Sequence, residues 1–159
     1  RTCAKPVWIA GSGQASGGFS IADHADLSVN PAIAKAAADA FRQAGLGPAD
    51  IGVTEVHDCV NIHEVVCLES AGFFKEGEGI HAAEERRTYF DGDVPVNLSG
   101  GLKARGHPVG ATGAYQLCEI ARQLRGDFEG KRARNPEVGL TVNVGGTGTA
   151  VTVTILRKE

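Results

Sequence analysis

Two runs of alternating apolar and polar residues lie near the end of the chain. The apolar positions are Val138, Leu140, Val142 and Val144 in the first run and Val151, Val153 and Ile155 in the second. Alternation with a period of two predicts β-strands. The segment 145–148 between them reads Gly-Gly-Thr-Gly. The two runs are therefore predicted to form a hairpin with a glycine-rich tip.

The first part of the chain predicts a strand and then a helix. Residues 5–10 (KPVWIA) indicate a strand, and the glycine- and serine-rich segment 11–18 indicates a turn after it. Asn30 and Pro31 begin a helix, because asparagine is a favoured N-cap and proline fits the first helical position. Gly45 supplies the end of that helix. Its predicted apolar face consists of Ile33, Ala37, Ala40, Phe41 and Ala44.

The middle of the chain predicts a second strand over residues 51–57 and a helix over 62–71. The charged segment 75–92 is longer than most connections within a domain, so it is predicted to be a functional surface loop. A third helix is predicted from Pro108 to about Arg125. Its predicted buried stripe is Leu117, Ile120, Ala121 and Leu124. This order of elements implies a mixed α/β sheet with helices packed on it.

Composition narrows the class of protein. The chain has 159 residues, 42% hydrophobic and 22% charged, with a net charge of −3, which suits one domain with its own core. The slightly acidic balance gives no support to nucleic-acid binding. No apolar stretch approaches the roughly 20 residues of a membrane span, and no signal segment begins the chain. We therefore expect a soluble, cytoplasmic protein that binds neither nucleic acid nor membrane.

The cysteines and the missing methionines give two further expectations. The four cysteines are widely scattered, which predicts reduced thiols rather than a disulfide framework; they are Cys3, Cys59, Cys67 and Cys118. The sequence contains no methionine and opens on Arg1. We therefore expect that the chain begins inside a longer polypeptide.

Reactive residues are concentrated at three places where strands end or a helix is predicted to begin. These are His57-Asp58-Cys59, Gly106-His107-Pro108 and the glycine-rich hairpin tip. α/β proteins build their sites at such positions, because rigid elements there hold side chains that face open space.

His107 precedes the predicted first residue of a helix, Pro108. The positive end of the helix dipole would keep its imidazole neutral near pH 7. A neutral imidazole can donate a hydrogen bond to a carbonyl oxygen that gains negative charge. The small residues Gly110, Ala111 and Gly113 would let a thin ligand approach the backbone. Residue chemistry alone leaves a purely capping histidine equally open.

Cys59 follows a histidine and an aspartate at a predicted strand-to-helix turn. A thiol near a helix N-terminus with a histidine two residues away has a lowered pKa and can exchange protons near neutrality. A buried, inert cysteine is the alternative.

The sequence disfavours two other kinds of site. The set His57, Cys59, His63 and Cys67 has the spacing H-x-C-x3-H-x3-C, which is not a common zinc pattern. A Gly11-x-Gly13 turn could begin a dinucleotide site, but the helix that should receive the pyrophosphate is missing after it. We therefore predict neither a metal site nor a permanently bound cofactor.

Taken together, three segments resemble the thiolase superfamily, and the sterol carrier protein-type thiolases in particular. They are Val56–Val60 (VHDCV), Val96–Gly113 (VNLSGGLKARGHPVGATG) and Leu140–Thr149 (LTVNVGGTGT). The resemblance covers residues 1–159 as the C-terminal of the family's two similar halves. It implies a thiolase-like half-domain with a mixed five-stranded sheet and helices packed on it.

The resemblance also implies roles for four residues. His107 matches the histidine of the family's GHP motif, which activates the nucleophile and binds the thioester oxygen. His57 stands where most thiolases carry the asparagine that completes an oxyanion site, and Cys59 belongs to the H-D-C-F variant of that motif. Val60 replaces its phenylalanine. The family's C-x-G loop reads Asn143-Val144-Gly145, so Cys59 would take over the acid/base role and Gly145 would offer its backbone N–H.

The family's nucleophilic cysteine comes from an N-terminal half, and nothing in this sequence matches it. The resemblance therefore implies thiolysis or Claisen condensation of 3-oxoacyl-CoA thioesters, with coenzyme A as a substrate, and an inactive chain when that half is missing. It also implies a homodimer and, in some bacterial relatives, a small partner protein that presents CoA esters. Two alternatives stay open: a thiolase-fold aldolase acting on steroid side-chain CoA esters, and a non-catalytic dimerisation or scaffold module.

Overall fold

A mixed sheet of four strands forms the centre of the protein in a computed structural model, which describes residues 5–159. The strands are β1 (Val7–Ala15), β2 (Val53–Val56), β3 (Val138–Gly145) and β4 (Ala150–Lys158). Their order in the sheet is β1-β4-β3-β2. β2 pairs parallel with β3, and the other pairs are antiparallel. The predicted C-terminal hairpin is confirmed, whereas the expectation for Cys3 lies outside the described residues.

Five helices surround the sheet within residues 5–159. They are α1 (Pro31–Ala44), α2 (His63–Ser70), α3 (Gly79–Glu84), α4 (Gly101–Arg105) and α5 (Thr112–Arg125), with short 3-10 turns at Ile21–Asp23 and Pro48–Asp50. α1 begins and ends as predicted. The Asn30 side chain accepts hydrogen bonds from the N–H groups of Ala32 and Ile33, and Gly45 adopts a left-handed conformation with φ of 67°. The helix predicted over 62–71 corresponds to α2.

The sheet has four strands, so the expectation of five was wrong by one. The segment around Val96 runs beside the free edge of β2, but it forms a single bridge, to Thr54. Pro95 has no N–H with which to extend the pairing. Asn97 has a φ of 48°, which turns the chain away from the sheet. The fifth position is therefore occupied by one residue rather than by a strand.

The turn predicted over 11–18 was also wrong in its first part, because β1 continues through Gly11 and Gly13 to Ala15. The glycines are required by the close approach of α1. A Cβ on Gly13 would lie 1.9 Å from the carbonyl oxygen of Ala36, and one on Gly11 would lie 2.3 Å from that of Ala40. Glycine is used in this strand for packing rather than for turning.

We expect Gly13→Ala to lower the free energy of unfolding by about 1–3 kcal/mol, since the helix must move away from the strand to admit the methyl group. Gly47→Ala is the matched control: Gly47 has a φ of −129°, and its Cβ would meet only Asp50 Oδ2, at 4.0 Å. Denaturant titration of both variants measures the difference. Equal midpoints would contradict the packing argument.

Three segments before and within α5 differ from the prediction. The predicted surface loop over 75–92 contains α3, whose residues Gly79 and Ala82 are buried. α4 was not predicted. α5 begins at Thr112 rather than at Pro108. Of its predicted buried stripe, Ile120 and Leu124 are buried and the other two are half-buried. Two glutamines, Gln116 and Gln123, are buried beside them, with the side chain of each donating to a backbone carbonyl.

The two faces of the sheet pack against different helices. One core cluster joins α1 and α2 to alternate residues of β3 and β4, including Leu140, Val142 and Val153. A second, smaller cluster joins Ile120 and Leu124 of α5 to Val53. The sheet is therefore covered on both faces, which is why β3 is almost wholly buried. Among residues 5–159, no helix combines the length and the apolarity needed to cross a membrane.

Candidate active site

His57 lies directly after β2. Its side chain is buried, and its ring contacts two further histidine rings edge to face. The ring centroid lies 5.0 Å from that of His107 and 5.9 Å from that of His63. Three imidazoles therefore meet at the end of one strand. Nδ1 of His57 is buried and receives no hydrogen bond from the described residues.

Burial lowers the pKa of His57 to about 4, and the neighbouring charges of His63, His107 and Arg105 act in the same direction. A hydrogen bond with the Asn143 side chain favours the protonated form but is the weaker influence. His57 is therefore neutral at pH 7. A neutral imidazole can donate a hydrogen bond to an oxygen without carrying a positive charge into the site.

His107 is exposed at the end of α4, and the prediction that it sits at a helix N-terminus was wrong. The carbonyl oxygen of Pro108 accepts hydrogen bonds from the N–H groups of both Ala111 and Thr112, so Pro108 opens a turn that precedes α5. His107 therefore lies five residues before the first residue of α5. Its Nδ1 lies 2.7 Å from the hydroxyl oxygen of Thr112.

The Thr112 hydroxyl lies between His107 and a backbone carbonyl. Its oxygen is 3.1 Å from the Pro108 carbonyl oxygen, which can only accept a hydrogen bond. In the tautomer in which the hydroxyl donates to Pro108, Nδ1 of His107 donates to Thr112 and the lone pair lies on Nε2. The outer nitrogen of the ring can accept a proton in that tautomer. Thr112, which sequence reasoning missed, lies five residues after His107 in the same glycine-rich segment.

Cys59 is exposed, and its thiol faces His63, the first residue of α2. The sulfur lies 4.0 Å from Nδ1 of His63, which also lies 2.5 Å from the His57 carbonyl oxygen. Cys67, on the next turn of α2, is wholly buried, and burial raises the pKa of its thiol. Cys59 is therefore accessible to a ligand, whereas Cys67 is the inert type of cysteine.

Asp58 holds the two histidine-bearing segments together. Its Oδ1 accepts a hydrogen bond of 2.8 Å from the N–H of Leu102, at the start of α4. Gly101 has a φ of 63°, and a Cβ there would lie 2.1 Å from Asp58 Oδ2. The glycine is required for this close approach as well as for its conformation. Asp58 therefore acts on the shape of the site rather than on its chemistry.

Gly145 ends β3, where it pairs with Ala150 at the base of the hairpin tip. It is linked to the histidines through Asn143, which lies two residues earlier on the same strand and interacts with His57. The Asn143 amide also packs on α5, because a Cβ on Gly113 would lie 3.1 Å from it. An amide therefore stands where the C-x-G pattern would place a cysteine. Gly145 itself is half-buried.

A groove of about 320 Å³ runs beside Cys59 and His63. Its walls include Val60 and Val66 near α2 and Gly146 and Thr147 from the hairpin tip. The apolar side chains Ile21 and Leu27 complete it and are exposed. Among the described residues, no group of three or more His, Cys, Asp or Glu side chains is arranged to hold a metal ion.

Comparison with known proteins places this chain in a family. Residues 13–158 match the family described as thiolase C-terminal domain-like. An acetyl-CoA acetyltransferase of Methanothermobacter thermautotrophicus is 46% identical over 96% of the chain and 40% of its own length. One of Methanocaldococcus jannaschii is 40% identical with the same coverage. Sterol carrier protein 2 of Rattus norvegicus is 38% identical over 77% of the chain and 22% of its own length.

Solved structures show the same fold. An Ltp2–ChsH2(DUF35) aldolase superposes with a TM-score of 0.83 at 24% identity, over 96% of this chain and 40% of that one. A monomeric SCP2-thiolase-like protein type 1 from Mycobacterium smegmatis gives a TM-score of 0.67 at 19% identity, over 95% of this chain and 29% of that one. The chain belongs to the thiolase family, as a C-terminal domain. It spans 40% of the length of the two acetyl-CoA acetyltransferases.

Proposed function

We propose that the chain is the C-terminal catalytic half of a thiolase-like acyltransferase that acts on 3-oxoacyl-CoA thioesters. The observation that carries this proposal is the contact between the rings of His57 and His107, which lie 5.0 Å apart on separate segments, together with the accessible thiol of Cys59 two residues after His57. The acetyl-CoA acetyltransferase relatives support the same class of reaction.

The geometry supports a distinct part for each group. Nε2 of His107, which carries the lone pair, takes the proton of a cysteine supplied by an N-terminal half and then hydrogen-bonds the thioester oxygen. Neutral His57 donates to the oxygen that gains charge as the carbon–carbon bond breaks or forms. Cys59 exchanges a proton with the carbon that leaves or attacks. Gly145 offers its backbone N–H to the acyl-enzyme oxygen.

Coenzyme A is in this proposal a substrate rather than a resident cofactor. In the thiolysis direction, its thiolate attacks the acyl-cysteine, the cysteine leaves as thiolate, and a new thioester is released. We further propose a cytoplasmic homodimer in which each site is completed by an N-terminal half, with a small CoA-ester-presenting protein as an additional partner. No role for nucleic acid, membrane or metal is needed.

A steroid side-chain aldolase is the second candidate, because one solved structure that shares the fold is described as an aldolase. Such an enzyme would need the oxyanion groups but not the nucleophilic cysteine. A scaffold module would need neither. Retention of both the His57-Asp58-Cys59 and the Gly106-His107-Pro108 segments favours the thiolase.

The test is an assay of the full-length gene product with acetoacetyl-CoA and free CoA, following the loss of the 3-oxoacyl-CoA enolate absorbance. We expect acetyl-CoA to form, and His107→Ala to abolish its formation. Retro-aldol cleavage of a β-hydroxyacyl-CoA without thiolysis would instead identify an aldolase. A well-folded product with neither activity would identify a scaffold.

A further inference from the structure

One buried carboxylate lies between the two histidine-bearing segments and has no part in the chemistry proposed above. Glu55, on β2, is 1% exposed. Its Oε2 accepts a hydrogen bond of 2.8 Å from the Ser99 hydroxyl, and its Oε1 accepts one of 3.2 Å from the Ser99 N–H. A carboxylate is not buried in a sheet without such partners. The partners here all come from the segment that leads to His107.

Arg105 completes this group from the end of α4. Its guanidinium Nη2 lies 3.8 Å from Oε2 of Glu55, and its side chain is 13% exposed. Its Nε lies 3.4 Å from the Ser99 hydroxyl oxygen, and its guanidinium faces the ring of Tyr115 on α5 at 5.5 Å. The arginine therefore touches β2, the segment before α4, and α5 at once.

The charged residues of this cluster lie close to the two histidines along the chain. Glu55 lies two residues before His57, and Arg105 lies two residues before His107. We propose that Glu55, Ser99 and Arg105 form a positioning clamp that fixes the ring of His107 against the ring of His57. The inference rests on the proposed function. It makes Glu55, Ser99 and Arg105 positioning residues, which act through His107 and do not touch the reacting atoms.

The clamp is needed because α4 is otherwise weakly held on this side. α4 has five residues, lacks a side-chain N-cap and begins at two glycines of positive φ. Asp58 holds its first turn through Leu102, and Lys103 donates a hydrogen bond of 2.7 Å to Asn61 Oδ1. Its last residue, Arg105, is held by Glu55 and Ser99 and by the ring of Tyr115. Without the Glu55 cluster, the end of α4 would lose its link to β2 two residues before His107, and a shift of about 1 Å at a reacting group can cost roughly 10²-fold in rate.

The experiment compares Glu55→Gln, Ser99→Ala and the matched control Glu137→Gln in the full-length protein. Glu137 forms an exposed ion pair with Lys158 before β3 and touches neither histidine. We expect Glu55→Gln to lower kcat by roughly 10- to 100-fold with KM for the CoA ester changed less than about twofold. Ser99→Ala should lower kcat less, and Glu137→Gln should not change it. Equal kcat in Glu55→Gln and Glu137→Gln would overturn the clamp.

A second readout does not depend on activity. With histidine labelled at the ring carbons, NMR of the full-length protein reports the cross-relaxation between the His57 and His107 rings. We expect it in the wild type and in Glu137→Gln, and we expect it to weaken in Glu55→Gln or, if that variant does not fold, in Ser99→Ala. Unchanged cross-relaxation in a folded variant overturns the clamp. Absence of thiolysis in the wild type would instead refute the proposed function. The cross-relaxation between the His57 and His107 rings would then test the clamp without the kinetic assay.

Discussion

Replacing Cys59 by alanine in the full-length protein is expected to lower the turnover of acetoacetyl-CoA by roughly 10²–10⁴-fold, the usual contribution of a positioned proton donor or acceptor. Cys59 is exposed beside the groove, and its sulfur lies 4.0 Å from the His63 ring. Nothing in the core depends on it, so the melting temperature should not change. The measurement is kcat from the thiolysis assay together with a thermal unfolding curve.

Cys118 provides the matched control, because it is a second exposed, free cysteine. It lies on α5, and it is absent from the contacts among His57, His63 and His107. Cys118→Ala should therefore retain normal turnover. If Cys59→Ala also turns over acetoacetyl-CoA at the normal rate, the acid/base role belongs to another group. The first group to test would then be His63, whose Nδ1 lies 4.0 Å from the Cys59 sulfur.

Periodicity predicted the regular elements of the fold well. The alternating runs predicted β3 and β4, and the Asn30-Pro31 cap predicted the start of α1. Those signals are local: they depend on burial of one face or on a hydrogen bond within three residues. The glycines of β1 show where such reasoning ends. Glycine is common in turns, and it also permits close packing between backbones. Only the position of α1 shows that Gly11 and Gly13 serve close packing.

The candidate site was predicted as a set of residues but not as an arrangement. The motif resemblance selected His57, Cys59 and His107. In the structure, the rings of His57 and His107 contact each other directly. Their electrostatic environment could not be predicted, because it depends on tertiary contacts. Pro108 fitted a helix start by local rules, yet the chain forms a turn there and Thr112 begins α5. The buried state of His57 and the Glu55 cluster both depend on the position of α4, which had no sequence signal.

The two buried ionisable groups at the end of β2 should give folding stability opposite dependences on pH. Burial lowers the pKa of His57 from 6.5 to about 4, so between these values the unfolded chain binds a proton that the folded chain lacks. Stability from this group therefore rises with pH across that window. Burial raises the pKa of Glu55 from 4.5 to about 7, against the opposing effects of Ser99 and Arg105. The folded chain then holds the extra proton, and stability from this group falls as pH rises.

Each variant should reveal the effect of the group that it retains. In Glu55→Gln, the free energy of unfolding should rise by up to about 3 kcal/mol from pH 4 to 6.5, because only the His57 effect remains. In His57→Asn, it should fall by a similar amount from pH 4.5 to 7, relative to the same background of other titrating groups. Urea unfolding at a series of pH values measures both slopes, and His81→Asn, at a histidine whose side chain is 70% exposed, should follow the wild type. Parallel curves for Glu55→Gln and His57→Asn would mean that burial does not shift the two pKa values in opposite directions, since folding would then change the number of bound protons in the same way in both variants.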